Sequence, residues 1–177
     1  MRNRLFLLAS MTVAVLAAGA CSDDEATPVT PPVTPPVSKI VTFKATLNGA
    51  QEVPVNASTA TGQFTATLDT STNVFTYDVT FSGLTSNVNN GHIHGPAAAG
   101  VNSGTTINFN TLPGATFSLG QTAGTAKGTV TLTAATQVTA TVNGDSLKKL
   151  LFAGLTYANI HTVNNGGGEI RGQITKQ

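Results

Sequence analysis

From Val41 onward, apolar and polar residues alternate with a period of two, and this alternation constrains the fold more than any other feature of the chain. Successive side chains of a strand point to opposite faces, so a half-buried strand requires that pattern. Val41, Phe43, Ala45 and Leu47 share one face, Thr42, Lys44 and Thr46 the other, and Asn48-Gly49 ends the run. Phe64, Ala66 and Leu68 repeat it. After the turn residues Asp69-Thr70-Ser71-Thr72-Asn73 come Phe75, Tyr77, Val79 and Phe81, the strongest apolar stripe, opposite Thr76, Asp78 and Thr80. These two runs predict an antiparallel hairpin. Further strands are predicted around 91–94, 105–109, 127–133, 137–142, 155–162 and 169–175.

One segment departs from the pattern. Between Asp145 and Gly154, Leu147, Leu150 and Leu151 fall at helical spacing, with Asp145 as N-cap candidate and Gly154 as a stop. It reads as one short helix, or else as an irregular loop packed by the same leucines. Elsewhere short strands follow one another with turn signals between them and no alternating helices, which argues for a two-sheet sandwich or a flattened barrel. The expected fold is all-β: a two-sheet antiparallel β-sandwich over 39–177, of the Greek-key type found in immunoglobulin and superoxide dismutase domains, with one short helix. The formal net charge is +1, and Arg2 and Arg4 fall in the N-terminal segment. No basic surface of the size that attracts nucleic acid is left, so no nucleic-acid partner is expected.

The N-terminus has its own organisation. Met1-Arg2-Asn3-Arg4 is basic, and the apolar run from Leu5 to Ala20 is shorter than the roughly twenty residues of a membrane-spanning helix, so 1–20 reads as an export signal. It ends in Ala18-Gly19-Ala20-Cys21, which resembles the lipobox of bacterial lipoproteins, although Ala18 stands where leucine is usual. Cys21, the only cysteine, would then be lipidated, and no intrachain disulfide is available. Ser22-Asp23-Asp24-Glu25 is either a solvated spacer or similar to the signals that direct Gram-negative lipoproteins to the outer membrane and Bacteroidetes lipoproteins to the cell surface. The Pro/Thr-rich stretch that completes 21–38 predicts an extended tether.

Three histidines are present, all in Gly91-His92-Ile93-His94-Gly95-Pro96 and Tyr157-Ala158-Asn159-Ile160-His161-Thr162. With Ile93 and Ile160 turned to the core, His92, His94, Asn159 and His161 face outward. If the two strands are neighbours, three imidazoles converge, a donor set that suits zinc or copper with a fourth position open. The alternative is that the rings only hydrogen-bond loop backbone at a glycine-rich edge.

Ala45-Thr46-Leu47-Asn48-Gly49-Ala50-Gln51-Glu52-Val53-Pro54, the His-Ile-His-Gly-Pro segment, and Ala158-Asn159-Ile160-His161-Thr162 followed by Gly168-Glu169-Ile170-Arg171-Gly172-Gln173-Ile174 resemble, in order, the successive blocks of the chordin (CHRD) domain. The family usually has a proline in the turn before the last block, where Asn164-Asn165-Gly166-Gly167-Gly168 stands, a difference expected to loosen that turn. The resemblance implies a secreted or lipid-anchored extracellular module, known in animals from chordin, an antagonist of bone morphogenetic proteins. It implies no reaction.

Within the last block, Ile170 and Ile174 are expected to face the core, and Glu169, Arg171 and Gln173 the other side. Either Glu169 or Arg171 makes a cross-strand ion pair, or Arg171 attracts anions beside a metal; Asn159, Glu169 and Arg171 are the candidate polar contacts beside the histidines. Gln51-Glu52-Val53-Pro54 reads as a strand end, and Asn56-Ala57-Ser58 as a sequon of little meaning in a bacterial lipoprotein. Two functions stand: a non-enzymatic lipid-tethered module binding an extracellular protein, glycan or ion, and a zinc- or copper-dependent redox protein by analogy with Cu/Zn superoxide dismutase, which needs more histidines than this chain has.

Overall fold

The computed structural model describes residues 39–138 and 142–177; residues 1–38, where the export signal, the lipidated Cys21 and the tether are expected, lie outside the described residues. Nine strands are present among them: β1 (Ile40–Asn48), β2 (Thr61–Asp69), β3 (Val74–Ser82), β4 (Val88–His94), β5 (Thr105–Asn108), β6 (Thr116–Phe117), β7 (Gly124–Thr131), β8 (Thr156–Thr162) and β9 (Ile170–Lys176). Every pairing is antiparallel, and the order across the sheet is β5-β4-β8-β9-β1-β2-β3-β7-β6.

The predicted hairpin is β2–β3, in continuous register from Thr61↔Ser82 to Asp69↔Val74. Its turn is closed locally: Asp69 accepts hydrogen bonds from the Ser71 backbone and hydroxyl, and Asn73 takes φ 59°. Asparagine is among the few residues that tolerate that left-handed geometry. The apolar stripes of β1, β2 and β3 point one way and bury Phe43, Leu47, Phe64, Leu68, Phe75 and Val79 completely. Each such side chain contributes about 1.5–3 kcal/mol by leaving water.

The all-β antiparallel class with one short helix is as expected, but the strands form a single curled sheet, a half-barrel, in place of two separate sheets. The rings bring its two edges together. Phe109, just after edge strand β5, lies 5.1 Å from Tyr77 of β3 and 6.0 Å from Phe117 of edge strand β6. The segment after β6 then bonds back to the start of β4, Gly120 N–H to the Val88 carbonyl at 2.8 Å and Val88 N–H to that of Gln121 at 2.9 Å. Sheet twist and a ring-filled interior make one curved sheet sufficient to enclose the core.

Helix α1 (Gly144–Phe152) joins β7 to β8 and buries Leu147 and Leu151. Its cap is Asn143, whose side chain accepts from Ser146 N–H at 2.9 Å, and not Asp145, which pairs with Lys148. Of the strand expected over 137–142, the described part is an isolated bridge between Gln137 and Asn143, and 139–141 lie outside the described residues. For function the decisive element is β8: it lies between β4 and β9, and all seven of its residues are buried, so both faces of this strand are covered.

Candidate metal centre

The register of β4 against β8 sets Asn90 opposite His161, His92 opposite Asn159 and His94 opposite Tyr157. Residues directly opposite share a face, so all three histidines stand on the side away from Ile93 and Ile160, which are fully buried in the core. Gly91 makes this register compatible with packing. A Cβ there would come within 2.8 Å of the Phe109 ring and 2.9 Å of the Phe117 ring. The predicted convergence therefore holds: one nitrogen from each of His92, His94 and His161 lies within 4.8 Å of the others.

Hydrogen bonds fix which nitrogens are available. His94 Nδ1 is 2.9 Å from the Ser103 carbonyl and His161 Nδ1 is 3.0 Å from the Gly166 carbonyl. A carbonyl only accepts, so both rings carry their proton on Nδ1 and present an Nε2 lone pair. His161 Nε2 is 3.0 Å from His92 Nδ1. His94 Nε2 is buried with no hydrogen-bond partner. The two sequence readings thus meet in His94 and His161, each with Nδ1 tied to loop backbone and Nε2 left for a ligand. Carbonyl-anchored imidazoles of this kind are the usual outer support of a metal site. Ligand nitrogens of a tetrahedral zinc ion at 2.0–2.1 Å stand about 3.3 Å apart, so a bound ion would draw the three rings closer than the 4.8 Å that bounds them here.

Electrostatics favour the neutral rings that ligation needs. Burial and the neighbouring His161 and His94 push His92 down to about 4. Burial lowers His94 against the raising effect of the Ser103 carbonyl, and lowers His161 against that of Gly166. A depression of about 290 Å³, lined by Asn89, Asn90, His92, His161 and Gly166, connects the cluster to solvent.

A second tier surrounds the rings. Tyr157 lies parallel to His94, with ring centroids 4.7 Å apart and planes at 1°, and the Arg171 guanidinium sits 3.5 Å from the Tyr157 centroid. Arg171 is 1% exposed and donates to Asn102 Oδ1 at 2.9 Å and the Val101 carbonyl at 2.8 Å. Its hydrogen bonds therefore go to neutral groups of a loop and not to a carboxylate on the neighbouring strand. Asn159, opposite both His92 and Arg171, is buried.

Glu169 is elsewhere. Its buried carboxylate accepts from the Ser58, Thr85 and Thr162 hydroxyls, Thr85 N–H and the Asn165 amide. Burial alone would raise its pKa, but these hydrogen bonds together lower it. Glu169 ties three loops and takes no part in the histidine cluster, which corrects the expectation that it lies beside the site. The Asn56 amide donates to the carbonyls of Gly168 and Glu169, so Asn56 and Ser58 of the sequon are pinned to this same turn. The turn expected to be loosened by the missing proline is held by Asn165, which accepts from Gly168 N–H and donates to Thr85 and Glu169.

The strand order, the histidine pair and the Gly-Glu-Ile-Arg-Gly-Gln block all lie inside one recognised unit: the model of the CHRD domain matches residues 43–174. The chain belongs to the CHRD-domain family. No curated protein and no solved structure matches it. Every member of the histidine cluster lies within the CHRD match, and Cys21 lies before it.

Sequence reasoning passed over two residues of the CHRD domain's polar face. Tyr157 was within reach of it, since the period of two that turns His161 and Asn159 outward also turns out Tyr157. Glu52 was not. It is 4% exposed, and its carboxyl is pushed up to about 7 by burial, which outweighs the lowering effects of Arg171, the Val53 backbone and the Asn159 side chain. It arrives from the loop after β1, and no local pattern in that loop points to β8.

Proposed function

We propose that this CHRD domain is a non-enzymatic extracellular module that holds one zinc or copper ion on His92, His94 and His161. The observation that carries the reading is that His94 and His161 commit Nδ1 to backbone carbonyls, which leaves Nε2 as the ligating atom of each: His161 Nε2 lies 3.0 Å from His92 Nδ1, and His94 Nε2 is buried without a donor. A buried acceptor left unpaired is unfavourable, and a cation resolves it. Neutral imidazole nitrogens suit both ions, and the depression beside His92 and His161 gives a fourth ligand access. Lipidation at Cys21, the tether over 21–38 and placement on a bacterial outer membrane, facing the cell surface, are supported by the N-terminal motifs. On this reading the module meets an extracellular protein or glycan while the lipid holds it to the membrane. Redox chemistry is the alternative if the ion is copper.

The test is metal analysis of the purified protein after exposure to zinc and to copper, beside His92→Ala/His94→Ala. Close to one ion per chain is expected for the wild type and almost none for the variant. Equal, negligible metal in both ends the reading. For the anchor, Cys21→Ser should move the protein out of the membrane fraction, and retention there rejects lipidation.

A further inference from the structure

The structure assigns Glu52 as the counter-charge of the three-histidine site, a positioning residue that acts on the ion through Asn159. This rests on the metal-binding reading above and deepens it. Glu52 Oε1 is buried with no hydrogen-bond partner. The nearby cation Arg171 makes its closest bonds to Asn102 and Val101, and the ion pairs among the described residues are Lys127 with Asp78 and Lys148 with Asp145. Glu52 is thus a buried carboxyl with no contact ion pair and one oxygen without a donor, an arrangement that is unfavourable for the fold by itself.

The surroundings hold it there nonetheless. Gly168, at φ +131°, passes so close that a Cβ would run into the Glu52 carboxyl, so the turn carrying Gly168 closes directly over it. Asn159 lies close enough for its side chain to act on the Glu52 carboxyl and on the His94 ring alike. Asn159 Oδ1 and His94 Nε2, like Glu52 Oε1, are buried without a partner. Three unpaired acceptor atoms in one buried layer describe a place short of positive charge.

Charge completes the case. Three neutral imidazoles add nothing to offset a divalent ion, and Arg171 already puts one positive charge into the layer, close enough to act on both Glu52 and His94. Glu169 cannot serve, since its carboxylate is enclosed by hydroxyl and amide donors at the loops. Glu52 is the remaining carboxyl at this face, and in a buried setting its field on the ion is only weakly screened.

The experiment pairs two readouts on the full chain: zinc affinity by calorimetry and the melting temperature of the metal-free protein, for wild type, Glu52→Gln and Glu52→Asp. Glu52→Gln is expected to bind zinc about 10–100-fold more weakly, as for loss of other outer-shell partners, yet to melt higher than wild type when metal-free. Glu52→Asp should recover part of the affinity, and the cobalt(II) absorption spectrum should stay that of three histidines in all forms. Equal zinc affinity in wild type and Glu52→Gln overturns the assignment while leaving the metal site standing. A fall in both affinity and metal-free melting temperature overturns it too, because that marks a structural role. A wild type that takes up no zinc or cobalt refutes the three-histidine reading first, and this assignment with it.

Discussion

The outer faces of the two halves of the sheet are built from the same alternation and end in opposite states. On β2 and β3 the outward positions Thr65, Thr67, Thr76 and Thr80 are exposed, joined by the Lys127–Asp78 pair at 2.6 Å. On β4, β8 and β9 the outward positions His94, Tyr157, Asn159, His161 and Arg171 are buried. The difference comes from outside the strands. Ser103, Asn102 and Val101 from one loop and Gly166 from a second reach over the surface of β4, β8 and β9 and bond to it, and Glu52 from a third is buried near Asn159 and Arg171. A polar face left open to water is a solubility surface. The same face under a roof of loops becomes a layer in which every donor and acceptor must be matched, and mismatches there point to a ligand.

Arg171 is the residue whose loss should cost the covered face most. Arg171→Ala removes a buried guanidinium, leaving Asn102 Oδ1 and the Val101 carbonyl without donors and Tyr157 without its stacked cation. A loss of about 3–5 kcal/mol in urea unfolding is expected. If the loss is as small as that of a surface charge, the covered half is no different from the open one.

Next comes overpacking from beneath the histidines. Gly91→Ala would press a methyl between the rings of Phe109 and Phe117, and a cost of about 1–3 kcal/mol is expected. Because residue 91 is adjacent to His92, zinc uptake should fall as well; a variant of full stability and full uptake would contradict the packing account.

The pH dependence of the metal-free protein sharpens the contrast. Glu52 lies near 7 in the fold against 4.5 when free, so the folded state holds the extra proton and stability falls as pH rises through that window. His92 lies near 4 against 6.5, so the unfolded chain takes up the proton and stability falls as pH drops from 6.5 toward 4. The two slopes oppose each other in the wild type. Glu52→Gln removes the first, so the variant should gain on wild type at pH 8 but not at pH 4, and its stability should rise with pH between 4.5 and 6.5. Unfolding curves at pH 4, 6 and 8 check this, and parallel profiles for the two proteins would reject it.

The smallest effect belongs to the open face. Lys127→Ala breaks a pair whose side chains are 55% and 40% exposed, and a change of no more than about 0.5 kcal/mol is expected, fading with added salt. A larger, salt-insensitive loss would mean that this face too is a built site.

Much of this was legible in the chain. Strict alternation marked β1, β2 and β3, and the apolar Ile93 and Ile160 between polar neighbours set the direction of all three histidines. What was not legible lacks local pattern. The two-residue strand β6 is too short to show a period, and Asn143 capped the helix in place of Asp145 because the choice of cap depends on how the chain enters the first turn. Glu169 and Glu52 both lie where no local pattern put them. Glu169, adjacent in sequence to Arg171, turned into a nest of hydroxyls, whereas Glu52, over a hundred residues upstream, came to rest beside Asn159 and Arg171.

The sequence by itself determined the class of fold and the side on which each strand residue falls, because both follow from a two-residue repeat that acts over a few ångströms along the backbone. Only the tertiary structure decided that the strands close into one curled sheet, which loops roof the β8–β9 face, and which carboxyl lies beside the imidazoles. Those outcomes depend on contacts between segments distant in the chain, where the free energy of burial, and not the local spacing of residues, selects the partner.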